Sequence, residues 1–390
     1  MRALLAGFVL LSIASVSAQD PPAAPRDGVS AEQVKSAVDR LGSVEFPVRT
    51  EAARTVRRGA AAIAVPLLTE AATSHKDGYV RFRALVLLSG FNDPRTREVM
   101  SRMLGEPNDR LRAVAYTYFE HTPEPAVLPR LIAALAKEES EFVRPALSRA
   151  IAAYGADRRA RDAISGLVMR GQDFFRSGVI ESVGDYQGAY AFASLIEVAK
   201  LDGPLQDDAV IALGKIGDKR ALETFANLQR TAPKNTQPAV ATAICLLGVN
   251  CASHQGYLTD TLKFSIANIG FQELLRGSSA GLASLAATGN ADALSTLFEL
   301  GAPTRDPARA AIALALGTVA LRNAPLTLKV IEKQKDPSAS LELLREAFDM
   351  LEEDFEEERF FVFVRRSYWQ AAAGSPTRKT ADALIKKLEF

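Results

Sequence analysis

Asp77-Gly78-Tyr79-Val80-Arg81-Phe82-Arg83-Ala84-Leu85-Val86-Leu87-Leu88-Ser89-Gly90-Phe91-Asn92-Asp93-Pro94-Arg95 is the stretch that decides the fold. Val80, Ala84 and Leu88 stand four apart, so they share one face of a helix. Asp77 suits the N-cap of that helix, and Asn92-Asp93-Pro94 turns the chain into another. The same chemistry recurs on both sides. Glu45-Phe46-Pro47-Val48-Arg49, Asn108-Asp109-Arg110-Leu111-Arg112, Ser140-Glu141-Phe142-Val143-Arg144 and Gln172-Asp173-Phe174-Phe175-Arg176 place an arginine at successive intervals of 32, 31, 32 and 32 residues. A sixth copy, Asp202-Gly203-Pro204-Leu205-Gln206, carries Gln in its place.

Around that arginine the positions keep their character. Four residues before it stand Glu45, Asp77, Asn108, Ser140, Gln172 and Asp202, polar and mostly able to cap a helix. One before, three after and seven after it the residues are apolar, as in Val48, Ala52 and Val56 or Val143, Leu147 and Ile151. A second helix lies between copies, as at Pro94 to Leu104, Pro125 to Ala136, Ala189 to Lys200 and Lys219 to Leu228. A period near 31 accommodates two helices of roughly 12 residues and two tight turns. Repetition on this scale marks a stacked array of helix pairs.

Asp77-x-x-Val80-Arg81-x-x-Ala84-x-x-Leu87-Leu88 with Gly90 and Asn92-Asp93-Pro94-Arg95 resembles the short bacterial HEAT-like repeat of the armadillo-type family. Leu213-Gly214-Lys215-Ile216-Gly217-Asp218-Lys219-Arg220-Ala221 does too. The resemblance covers residues 45 to 232 and weakens toward 350, where Asp306-Pro307-Ala308-Arg309 to Gly317 restores it. It implies an all-α, right-handed α-solenoid of stacked helix pairs, with the second helix of each pair lining the concave side. Such a surface suits a protein or peptide partner.

The ends differ from the array. Arg2, the apolar run Ala3 to Ala14 and the small residues Val16-Ser17-Ala18 read as a secretion signal cleaved before Gln19. The expected organisation is a signal peptide at 1–18, a flexible Pro-rich leader at 19–29, the solenoid at 30–370, a break at 371–376 and a capping helix at 377–390. Ser30-Ala31-Glu32-Gln33 fits a capping box opening the first helix. Gln255 to Leu275 reads as one long helix. Glu352 to Trp369 begins acidic and turns aromatic; it reads as helix, with a strand over its Phe-Phe-Val-Phe-Val run as the alternative.

Charge and motif content narrow the function. The chain has 47 basic and 46 acidic residues, and loss of Arg2 balances them, so no basic excess points to nucleic acid. No segment after the signal is apolar enough to span a membrane. His75, His121 and His254 lie in separate repeats, none is followed by Glu, and none pairs with Cys at metal-ligand spacing. No nucleophile, phosphate-loop or zinc-protease motif is present. The reading is therefore an exported, periplasmic or secreted interaction scaffold, not an enzyme, with no cofactor and no metal. The alternatives are an enzyme-modifying or lyase-like HEAT-repeat protein, or a structural envelope component without a specific ligand.

Three residue sets carry expectations. Arg49, Arg81, Arg112, Arg144 and Arg176 sit in first helical turns, against the dipole, so a carboxylate or carbonyl partner is expected for each in a structural ladder, with a row binding an anionic ligand as the alternative. Cys245 and Cys251, the only cysteines, are expected to pair across Leu246-Leu247-Gly248-Val249-Asn250, with two reduced, buried thiols as the alternative. One and five residues after the repeated arginine the side chains should face outward. Phe82, Val86, Ala113, Thr117, Pro145 and Arg149 are thus the candidate partner-binding residues.

Overall fold

The computed structural model describes residues 28–351 and 354–390, apart from the side chain at 354. The expected signal peptide and nearly all of the leader lie outside these residues. Ser30 accepts from the Gln33 amide while the Gln33 side chain accepts from the Ser30 amide, the capping box that starts the array.

Helices then come in pairs. They are α1 (Ala31–Arg40) with α2 (Phe46–Arg58), α3 (Ala61–Ser74) with α4 (Gly78–Ser89), and α5 (Pro94–Met103) with α6 (Asp109–His121). Next come α7 (Leu128–Leu135) with α8 (Arg144–Ala152), α9 (Arg158–Ser165) with α10 (Asp173–Asp185), and α11 (Phe192–Lys200) with α12 (Gln206–Ile216). The later pairs are α13 (Leu222–Thr231) with α14 (Gln237–Leu246), α15 (Cys251–Ala267) with α16 (Gln272–Ala287), α17 (Ala291–Gly301) with α18 (Ala308–Arg322), and α19 (Ala324–Glu332) with α20 (Ser338–Leu351). α21 (Asp354–Gln370) and α22 (Pro376–Leu388) close the chain. No strand occurs among the described residues. The fold is an all-α solenoid.

Even-numbered helices stack on one another in order from α2 to α20. Odd-numbered helices form the other layer, and their mutual packing is sparser, so the even layer is the shorter, concave side. The apolar stripe explains the stacking. Ala52, Ala84, Ala115, Leu147, Val179 and Ala209 are all buried, as are Val56, Leu88, Phe119, Ile151, Val183 and Leu213. Of the residues just before the repeated position, only Val48, in the first pair, stays half-exposed. Truncating a Leu of this stripe to Ala costs about 2–5 kcal/mol. Small residues set the closest approach: a Cβ on Gly214 of α12 would lie 2.7 Å from the Ala243 Cα of α14.

Several local expectations need correction. Asp77 and Asn108 do cap, accepting from the amides of Tyr79 and Arg110. Glu45 and Gln172 precede their helices without a side-chain cap. α8 and α12 start later than expected, so Ser140 and Asp202 fall outside them. Ser140 instead donates to Asp109 of the preceding inner helix at 2.9 Å. The stretch 255–275 is two helices, α15 and α16, broken at Asn268 where the backbone leaves helical geometry. The acidic-aromatic stretch is helical, and Phe360, Phe361 and Val364 of its apolar run are buried. Pro376 belongs to α22 rather than to the break, since proline fits the first helical turn and Ser375 caps it.

Candidate functional site

The repeated arginines show how the pairs are joined. Arg81 donates from Nε to the Ala72 carbonyl at 3.1 Å, in the last turn of α3, and Arg176 to the Val168 carbonyl at 3.0 Å. Arg49 reaches the Ser43 and Val44 carbonyls, and Arg112 those of Glu106 and Pro107. Arg49 and Arg112 thus tie down carbonyls of the turn before their own helix, whereas Arg81 and Arg176 satisfy orphan carbonyls where the preceding outer helix ends. There the dipole is negative, which offsets the penalty in the arginine's own helix. Gln206 and Gln237 donate in the same manner, to Ala199 and to Leu228 and Ala232. Two arginines also reach a carboxylate ahead of the next inner helix: Arg81 pairs with Glu106 at 2.9 Å, and Arg112 grips Glu138 through two nitrogens at 2.8 and 2.6 Å. Burial works to raise the Glu138 carboxyl, and Arg112 more than offsets it, holding it below the ordinary value. Arg144 departs from the pattern, its guanidinium lying 4.2 Å from the Phe175 ring centroid.

α21 gives the concave face an occupant of its own. It packs on α18 and α19 beside it in sequence, and also on α4 near the start of the chain. Phe355 joins the hydrophobic core of the early repeats and stacks on the His121 ring at 6.2 Å. Glu356 meets His121 Nε2 at 2.5 Å. Glu358, 1% exposed, takes Arg57 Nε at 2.8 Å and Nη2 at 2.7 Å on one oxygen and Arg365 at 3.1 Å on the other. Burial alone would raise that carboxyl; Arg57 and Arg365 hold it below the ordinary range. Gly90 makes room, since a Cβ there would lie 2.6 Å from Glu358 Oε1.

A second set of charges crosses the face further along. Arg149 bonds Glu120 at 3.0 Å and Asp185 at 2.8 Å; Lys215 and Arg322 converge on the same Asp185, and Arg322 also meets Glu181. Arg322 ends α18 while Asp185 ends α10, so this junction ties distant pairs together. Glu120, His121 and Glu356 bring ligand-type atoms within 4.8 Å of one another. Glu120 already accepts from Arg149 and the Tyr186 hydroxyl, and Glu356 from Arg359. These donors balance the charge a cation would otherwise supply, which makes the trio an ion-pair junction.

What remains open is a groove of about 1080 Å³ between the early inner helices and the C-terminal ones. Phe46, Tyr79, Phe82 and Phe142 line one wall, and Phe348, Phe361 and Phe390 the other. Phe142 is 89% exposed and Phe46 62%. Of the expected binding residues, Phe82 and Ala113 line this groove. Val86 does not face outward: it is 1% exposed, on the same face as Gly90 one turn on, where α21 covers α4. Arg149 is spent in the ion-pair junction, Pro145 packs toward Gly178, and Thr117 donates to its own helix. Tyr79 and Phe142 of this row sit two residues before the repeated arginine, outside the buried helical stripe that the sequence pattern marks.

Cys245, near the end of α14, and Cys251, at the start of α15, form a disulfide with Cα atoms 4.1 Å apart. Gly248 and Asn250, both at positive φ, turn the chain between them. Among the described residues no single helix is long and apolar enough to cross a membrane.

No family model and no curated protein matches the chain. Among solved structures it is similar to YibA of Escherichia coli, at 18% identity over 56% of this chain and 82% of that one, with a TM-score of 0.42. It is also similar to an engineered protein, at 16% identity over 92% of this chain and 99% of that one, with a TM-score of 0.34.

Proposed function

We propose that the chain is an exported scaffold of HEAT-like repeats that holds a segment of another protein in the groove between α2, α4, α6 and the C-terminal helices. One observation carries the reading: Phe46 and Phe142 stand largely in water at the rim of a groove already walled by aromatic side chains. Covering a phenylalanine contributes on the order of 2 kcal/mol, and aromatic anchors dominate binding energy at interfaces. The export half of the proposal rests on residues 1–18 and the repeat family on the Asp77-x-x-Val80-Arg81 pattern. A photoactivatable benzophenone side chain placed at Phe142 in the cell, with Glu98 of the outer helix α5 as control, tests it. The expected result is one discrete adduct from position 142. Identical adducts from both positions, or none from 142, would remove the groove as the binding site.

A further inference from the structure

The groove wall formed by α2, α4 and α6 lays two guanidinium groups over aromatic rings. Arg49 lies 5.7 Å from the Phe46 ring centroid and 5.9 Å from that of Tyr79. Tyr79 and Phe82 are 6.0 Å apart, and Arg110 lies 5.9 Å from Phe82. Among the described residues neither Arg49 nor Arg110 pairs with a carboxylate, although Asp109, Asp349 and Glu389 line the same groove with hydrogen bonds or ion pairs of their own. Asp109 accepts from Ser140, Asp349 from Arg345, and the Glu389 carboxylate stands 3.8 Å from Arg54. Arg49 Nη1 already donates to the Ser43 and Val44 carbonyls, which fixes that guanidinium over its rings and leaves Nε and Nη2 for a planar anion.

The same helices already hold one segment of matching chemistry. On α21, Phe355, Glu356, Glu358 and Phe361 meet His121 and Arg57 of α6 and α2. Arg57 lies 5.1 Å from the Phe361 ring centroid and bonds Glu358 at once, so a single arginine reads both an acid and a ring.

Resting on the scaffold reading above, we infer that the groove takes an extended acidic-aromatic peptide segment of its partner, with Arg49 and Arg110 each receiving a carboxylate and Tyr79 and Phe82 packing the rings between. Neighbouring helices lie about 8–10 Å apart, so the two arginines, on α2 and α6, span roughly 18 Å. At about 3.3 Å per extended residue the two acids stand about five residues apart.

The test uses the full exported chain and fluorescein-labelled synthetic peptides. One carries two aspartates at that spacing with Phe and Tyr between; others replace the aspartates by asparagine or by lysine. Fluorescence anisotropy should show the aspartate peptide binding at least about tenfold more tightly than the asparagine peptide, a difference of about 1.4 kcal/mol. Arg110→Gln should reduce that preference to the share held by Arg49, and Arg110→Glu should raise the relative affinity of the lysine peptide. Arg110 is exposed and holds no other element, so these variants fold. Equal binding of aspartate and asparagine peptides, lost in Phe82→Ala, would overturn the acid preference and leave the groove reading standing. No binding of any of the peptides to the folded chain would overturn this inference, and the adduct at position 142 then decides the groove reading separately.

Discussion

Replacing Glu358 by Gln removes one charge from a junction that water scarcely reaches. The Arg57 and Glu358 side chains are 7% and 1% exposed, and Arg365 completes the cluster. Breaking a buried pair by neutralising one partner costs about 3–5 kcal/mol, because the other charge stays buried. Concentrated on the docking of α21 to α4, that loss shifts the docked-to-undocked ratio by roughly two to four powers of ten. In a repeat array such a loss stays local rather than melting the whole. Hydrogen-exchange mass spectrometry reads it directly: amides of α21, α2 and α4 should exchange faster by that factor while α12 to α16 keep their protection. The double variant Arg57→Met, Glu358→Leu should recover most of the protection, since an apolar pair of similar volume needs no desolvation and Arg365 can turn its head toward water. Unchanged exchange in Glu358→Gln would refute the reasoning, as would a double variant worse than either single one.

Three further outcomes follow from neighbouring geometry. Gly90→Ala should also loosen α21, by about 1–3 kcal/mol, because the new Cβ would lie 2.6 Å from a carboxylate clamped by two arginines; exchange in α21 checks it. Arg112→Ala should lower the local stability of α6 to α8 more than Arg81→Ala does at α4. Arg112 leaves a nearly buried Glu138 without its bidentate partner, about 3 kcal/mol, while Arg81 and Glu106 are more exposed; equal melting curves for the two variants would contradict this. Acid should undock α21 as well. Burial works to raise the Glu356 carboxyl, but His121 and Arg359 bring it from 4.5 down to about 2. A depressed carboxyl stabilises the folded state above its unfolded value, and that contribution, about 3 kcal/mol, is lost as pH falls from about 4.5 to 2. Protection of α21 that stays constant or rises through that window would refute the assignment.

Most of the repeat was legible in the sequence because its cause is local. The stripe of Val80, Ala84 and Leu88 recurs at fixed offsets, and burial follows the offsets almost without exception. The carbonyl partners of Arg81 and Arg176 were readable in kind, since they answer a dipole present in the same few residues. The site was less legible. Val86 looked outward by helical phase, yet α21, from residues more than 250 positions later in the chain, covers that face. No local pattern announces such a partner. The one available signal was chemical: an acidic-aromatic helix at one end matches arginines and rings on the inner helices at the other. The exposed Phe142 carries no periodic mark in the sequence, because it lies on the turn just before α8 rather than on the buried stripe.

The bond between Arg57 and Glu358 joins residues 301 positions apart, and that from Arg54 to the Glu389 carbonyl joins residues 335 apart. A solenoid ordinarily assembles from near neighbours, so its contacts are of low order and form quickly. Here the final step must close a loop of nearly the whole chain. For a chain emerging from its N-terminus, the early pairs can build and stack while their inner face waits, bare, for the last helix to arrive. During that interval His121, Arg57 and the surface around Val86 are open to any segment of matching chemistry. Arrival of α21 turns a string of neighbour-to-neighbour units into a closed circuit, in which loosening either end is felt at the other.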